Sequence, residues 1–211
     1  MPDFPTVVAP AWWIVTNFLV SLSVSCVLVA VAVDFNKFHA KNAERHKKSP
    51  VETGTMVGFL LLFYVLIHFR VGSLLTYPVV GSWPGYITTI IGLVLLVSGT
   101  IINIWGRVAL SEQWSNQIKI YSGHHLVQTG PYRFVRHPLY GSLVVMFWGA
   151  CLVYQNYIAF LVTFIIFVPA MYVRANQEEV LLGNVFEDYK SFQRGCGMLF
   201  PRINQFIRRS K

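Results

Sequence analysis

From Ala11 to Val33 the chain runs for 23 residues without a charged side chain, and from Tyr86 to Trp105 it does so for 20. About 20 apolar residues in a helix cross a hydrocarbon core about 30 Å thick. A helix is one of only two structures that satisfy all their backbone groups inside lipid. These runs predict a polytopic, all-α membrane protein. Composition agrees: 55% of the 211 residues are apolar and 12% charged, about half the charged fraction of a soluble domain. A disordered chain, a disulfide scaffold and a collagen-like fibre are excluded.

Further runs complete the count. Met56 to Phe69 is apolar and continues through Arg70, so a second span is predicted over Thr55–Leu75, with Arg70 reaching for the interface. Ser142 to Val173 is too long for one span and is interrupted by Tyr154-Gln155-Asn156-Tyr157, which predicts a helical hairpin. The expectation is about five transmembrane helices, the last two forming that hairpin. Lys37, Lys41, Arg45, Lys47 and Lys48 follow the first span. Arg107, Lys119, Arg133 and Arg136 precede the hairpin, and Arg174, Lys190, Arg194, Arg202, Arg208, Arg209 and Lys211 follow it. If the spans alternate, 16 of the 17 Lys and Arg fall on one side, and Arg70 on the other. The positive-inside rule makes that side cytoplasmic and the amino terminus outside or lumenal. The net charge of +8 is then a matter of topology and anionic lipid headgroups, with no call for nucleic acid. Met1 to Pro10 has no basic residue, so the first span is not expected to be a cleaved signal.

Polar chemistry gathers in the second half. Within the predicted spans of the first half there is no Asp or Glu, and His68 is the one histidine, an interfacial or hydrogen-bonded residue by expectation; Asn103 is suited to tying helices together. From Trp114 to Tyr140 runs a dense polar and aromatic loop, WSNQIKIYSGHHLVQTGPYRFVRHPLY. Pro138 falls where the hairpin should begin, a position proline favours, so free N–H groups would point at whatever lies beside His137, with a carboxylate as the natural guest. Arg174 and Glu178 stand four apart, on one face of the last helix. His124, His125 and His137 match no common zinc spacing, and no metal is expected. Cys26, Cys151 and Cys196 form no C-x-x-C pair. The G-x-G-x-x-G loop of doubly wound nucleotide folds is absent.

Gly123-His-His-Leu-Val127, then Gly130-Pro-Tyr-Arg-Phe-Val-Arg-His-Pro-Leu-Tyr140, then Glu178-Glu-Val-Leu-Leu182 and a Y-x-x-F tail resemble the isoprenylcysteine carboxyl methyltransferase family over about Leu110 to Ile203. The family's F-G-x-x-Y after the acidic pair stands here as Val185-Phe186-Glu187-Asp188-Tyr189, one residue shorter. The resemblance implies an enzyme using S-adenosyl-L-methionine. It divides the chain into a membrane-spanning part of three helices, 1–109, and a catalytic part, 110–211, comprising a cytoplasmic cofactor-binding loop, the hairpin and a tail. By similarity His124, His125, Leu126 and Val127 hold adenosine and Tyr132 packs against it. His137, Pro138, Leu139 and Tyr140 wrap the methionine end, Glu178 takes the ribose or the amine, and Gln117 is a further cofactor contact. Arg174 faces the substrate, where its guanidinium suits a carboxylate. Arg174, His137 and Tyr140 are the candidate catalytic residues.

The implied reaction esterifies the α-carboxylate of a C-terminal S-isoprenylcysteine, whose lipid enters from the membrane. The site would then lie in the endoplasmic reticulum of a eukaryote or the plasma membrane of a prokaryote. A carboxylate needs no general base, so rate comes from alignment and exclusion of water. Two alternatives stay open: a phospholipid amine or small thiol as acceptor, with His137 or Tyr140 helping to remove its proton, and a non-catalytic membrane scaffold or transporter.

Overall fold

The computed structural model describes residues 11–38, 43–46, 53–69, 71, 83–110, 119–121 and 126–202. Its helices are α1 (Ala11–Phe38), α2 (Thr53–His68), α3 (Trp83–Leu110), α4 (Pro138–Val153), α5 (Tyr157–Val162), α6 (Val168–Gly183) and α7 (Tyr189–Gly195), with a 3-10 turn at Gly130–Arg133. A π-helical turn at Thr163–Phe167 joins α5 to α6 into one unbroken run, Tyr157–Gly183. Pro169 just beyond it has no N–H to give to the preceding turn, and a widened turn accommodates its ring. The hairpin is as expected: α4 ends at Val153, and the chain reverses at Tyr154–Asn156.

Three helices are long and apolar enough to cross a membrane: Ile14–Asp34, Gly85–Leu110 and Tyr157–Gly183. Two shorter apolar helices, Gly58–Ile67 and Pro138–Val153, accompany them. The five expected segments are thus all helical, although only three have spanning length on their own. The expected second span, Thr55–Leu75, is shortened: α2 stops at His68, and Arg70 and residues 72–82 lie outside the described residues. Beyond the helices, strands β1 (Ala43–His46) and β2 (Lys119–Tyr121) pair antiparallel, Ala43 opposite Tyr121 and His46 opposite Lys119. This small ribbon ties the α1–α2 loop to the α3–α4 loop, so both lie at one end of the bundle.

Small residues bring α3 and α4 together. A Cβ on Gly92 would lie 2.7 Å from the Gly149 carbonyl oxygen, and one on Gly149 would lie 2.6 Å from the Leu96 nitrogen. The two backbones therefore touch, as membrane helices do where side chains are reduced to hydrogen. Thr16, Val20, Ser23 and Val27 form the buried stripe of α1, at helical spacing, and Val20 and Val27 pack on Leu96, Met146 and Val153. On the other side of α4, Phe59 and Phe63 of α2 meet Phe147 and Phe167 edge to face, with ring centroids 4.5 to 5.5 Å apart. Isoleucine and valine line the outer face of α3, as suits lipid.

Candidate functional site

The site is built where α4 begins. Gly130 opens the 3-10 turn with φ +58, and a Cβ there would press on Ala109 and Trp105 of α3. The next residues are held against the tail: Val135 bridges Gly197, the Arg136 N–H donates to the Gly197 carbonyl at 2.9 Å, and the His137 N–H donates to that of Met198 at 3.0 Å. Pro138 then starts α4, as its residue type foretold. His137 is the N-cap, yet its side chain makes no capping bond. The first-turn N–H groups of an α-helix have no partner within the helix, so the α4 terminus keeps its donors and its partial positive charge.

The His137 imidazole is turned instead toward two carboxylates. Its Nδ1 lies 3.2 Å from Glu178 Oε2, and its Nε2 lies 3.3 Å from Glu179 Oε1 without the alignment of a hydrogen bond. Burial by itself would lower the pKa of His137, but the contacts and charges of Glu178 and Glu179 outweigh it and raise it above the ordinary 6.5. The two carboxylates thus favour the protonated imidazole. Arg174, Tyr140 and Glu178 complete the cluster. The Arg174 Nε donates to the Tyr140 hydroxyl at 2.8 Å, and that hydroxyl donates to Glu178 Oε1 at 2.5 Å. Arg174 also lies over the Tyr140 ring at 5.7 Å, and His137 stacks on the same ring. Arg174 is 6% exposed and is not a solvated surface cation.

Four sequence-predicted residues, His137, Tyr140, Arg174 and Glu178, thus come together, with Pro138 buried and Leu139 half-buried beside them. Tyr132 is buried. Burial first, and then the charge of Glu178, holds its phenol well above the ordinary range. Leu126 and Val127 are half-buried on the approach to this segment and make no recorded polar contact with the cluster. Gln117, His124 and His125 lie outside the described residues.

Several residues were missed. Arg136, counted from sequence as a loop cation, is buried and pairs with Glu179 at 2.7 Å; it also donates to the carbonyls of Gln193 (3.0 Å) and Cys196. Gln193 of α7 donates to the other Glu179 oxygen at 2.7 Å. These bonds fasten the tail across the base of the hairpin. Gly141 and Gly197 permit the close approach: a Cβ on Gly141 would lie 2.2 Å from the Leu199 oxygen, and one on Gly197 1.8 Å from that of Phe200. The glycines were the available signal, but neither names its partner.

The cluster fits the methionine end of S-adenosylmethionine by its donor set. Uncapped N–H groups and a buried guanidinium suit a carboxylate, and Glu178, 22% exposed at its side chain, suits an ammonium or a ribose. Among the described residues, no group of three or more His, Cys, Asp and Glu is placed to hold a metal.

Residues 90–184 match the model of the isoprenylcysteine carboxyl methyltransferase (ICMT) family. The chain is also similar to a Bacillus subtilis (strain 168) protein named Uncharacterized protein YpbQ, 27% identical over 88 residues. That match takes in 42% of this chain and 52% of the relative, so the chain spans about half the length of the curated relative it matches. The matched segment runs from the middle of α3 to the end of α6 and contains the four clustered side chains. Through it the chain is similar to the isoprenylcysteine carboxyl methyltransferase family.

Proposed function

We propose that the protein transfers a methyl group from S-adenosylmethionine to the α-carboxylate of a C-terminal S-isoprenylcysteine. The observation that carries this reading is the Tyr140 hydroxyl set between Arg174 and Glu178 at the uncapped start of α4. Bound there, S-adenosylmethionine would supply an electrophilic methyl on a sulfonium. The first turn of α4 would hold its carboxylate, Glu178 its amine or ribose, and Tyr132, with Leu126 and Val127, its adenosine. Gln117, His124 and His125 complete that set by resemblance.

The protonation of the cluster supports a carboxylate acceptor over an amine or thiol. His137 faces two carboxylates that favour its protonated form, which disfavours its use as a base. The Tyr140 proton is committed to Glu178. A carboxylate needs neither group, being already ionised. Arg174 would pair with it and orient it, and the buried setting would exclude water. The lipid part of the acceptor would enter laterally, among the apolar helices. On this reading the cluster and the tail face the cytoplasm, beside the basic loops and the anionic headgroups they attract.

Radiolabelled methyl transfer to farnesylcysteine, phosphatidylethanolamine and a simple thiol tests the reading. Base-labile label on farnesylcysteine, the mark of a methyl ester, is expected. Label on either other acceptor but not on farnesylcysteine would replace the acceptor. No transfer, with no binding of S-adenosylmethionine, would leave a scaffold or transporter.

A further inference from the structure

α1 lies wholly outside the segment that matches the family, yet it reaches the start of α4 through a chain of buried polar contacts. Asp34 Oδ2 accepts from Arg107 Nη1 at 2.7 Å, and Arg107 Nε donates to Asn103 Oδ1 at 2.9 Å. With its oxygen so engaged, the fully buried Asn103 must turn its amide nitrogen toward α4. It donates there to Ser142 Oγ at 2.8 Å and to the Leu139 carbonyl at 3.3 Å. Ser142 Oγ donates to the same carbonyl at 2.9 Å. Leu139 therefore has its carbonyl gripped from α3, one residue before Tyr140. Arg107 is 9% exposed and the Asp34 side chain 14%, so little solvent competes for the pair.

We infer that Asp34 is a positioning residue for the methyl-transfer site, acting through Arg107 and Asn103 on the first turn of α4. A neutral side chain at Asp34 removes the 2.7 Å ion pair that anchors Arg107 to α1. The guanidinium then moves toward other acceptors and releases the Asn103 oxygen. Once released, the Asn103 amide no longer has one orientation, and the first turn of α4 loses the grip that sets Tyr140 against Arg174 and Glu178. The inference rests on the proposed function and deepens it: half of the molecule that carries no recognisable motif would fix the geometry of the half that does.

The test is calorimetric titration of S-adenosylmethionine into the full chain in detergent, with a thermal melt of each protein. Asp34→Asn is expected to weaken binding roughly tenfold, in the range by which outer hydrogen bonds tune metal sites, and Asp34→Glu to restore most of it. Val27→Ala, which loosens α1 packing away from the relay, is expected to lower the melting point and leave affinity unchanged. Should Asp34→Asn not fold, Asn103→Ser cuts the relay one step later while leaving the charges paired, and the same loss is expected. Wild-type affinity in a folded Asp34→Asn or Asn103→Ser protein overturns the inference alone. Equal loss of affinity in Val27→Ala overturns it too, in favour of general packing. Absence of binding in the wild type overturns it together with the proposed function.

Discussion

The two ends of the α4–α6 hairpin are both polar, but one is uncharged and the other holds buried charges. At the turn, Tyr154, Gln155 and Asn156 spend their polar groups on their neighbours. The Asn156 side chain caps the next helix at Ala159 (2.9 Å) and donates to the Leu66 carbonyl of α2 (2.8 Å). Gln155 donates to the Gly85 carbonyl at 3.3 Å, and Tyr154 to Asn17 at 3.0 Å. At the base, α4 begins without a side-chain cap, His137 Nε2 has no aligned acceptor, and Arg174, Tyr140 and Glu178 form a chain ending at a partly exposed carboxylate. A polar end whose groups satisfy one another is architecture. One whose helix start is uncapped and whose buried histidine nitrogen lacks an aligned acceptor suits a guest, as the proposed function requires.

The comparison breaks most readily at Arg174. Arg174→Leu is expected to lower kcat/KM for farnesylcysteine about 100-fold or more, the scale on which a charge clamp contributes to group transfer. Loss of activity only in step with loss of folded protein would return Arg174 to architecture. Glu178→Ala comes next. It should weaken S-adenosylmethionine binding by about 10- to 100-fold, as expected of a hydrogen bond to a charged group, in a protein that still folds. Unchanged affinity would remove Glu178 from the site.

The opposite outcome is expected at the turn. Asn156→Ala removes a cap and uncouples the Leu66 carbonyl, at a cost of about 1–3 kcal/mol. The melt should register that cost while cofactor affinity stays as in the wild type. A variant that melts normally but binds poorly would mean that the two ends are not separate in function.

How much of this was legible in the sequence follows the reach of the interactions. Hydropathy runs and one polar interruption located α1, α3 and the turn at Tyr154–Asn156, because span length and periodicity are local quantities. Pro138 announced its helix, and Arg174 and Glu178 their shared face, for the same reason. Arg107 and Arg136 were misread. Counting cations by the positive-inside rule treats every arginine as solvated, yet each is buried against an acid, 73 and 43 residues away respectively. Nor does any periodicity reveal that the tail lies beside Val135 to His137 and fixes the segment that carries His137 to the start of α4. That arrangement depends on Gly141 and Gly197 standing where a methyl group would collide with backbone.

The smallest expected effect is a pH dependence confined to the base of the hairpin. His137 has its pKa raised in the folded protein, burial being outweighed by Glu178 and Glu179. Its protonated form therefore favours folding. The contribution is complete below the ordinary value of 6.5 and is lost as pH rises through the raised value, at no more than about 1.4 kcal/mol per pH unit. The wild-type melting point should thus fall between pH 6.5 and mildly alkaline pH, and His137→Gln, which cannot titrate, should show a flatter profile. Asn156→Ala should keep the wild-type slope from a lower starting point, since it leaves His137 and its two carboxylates in place. A profile for His137→Gln as steep as the wild type's would mean that folding does not raise the pKa of the imidazole. It would then be free to accept a proton, and the case for a carboxylate rather than an amine or thiol acceptor would lose its electrostatic support.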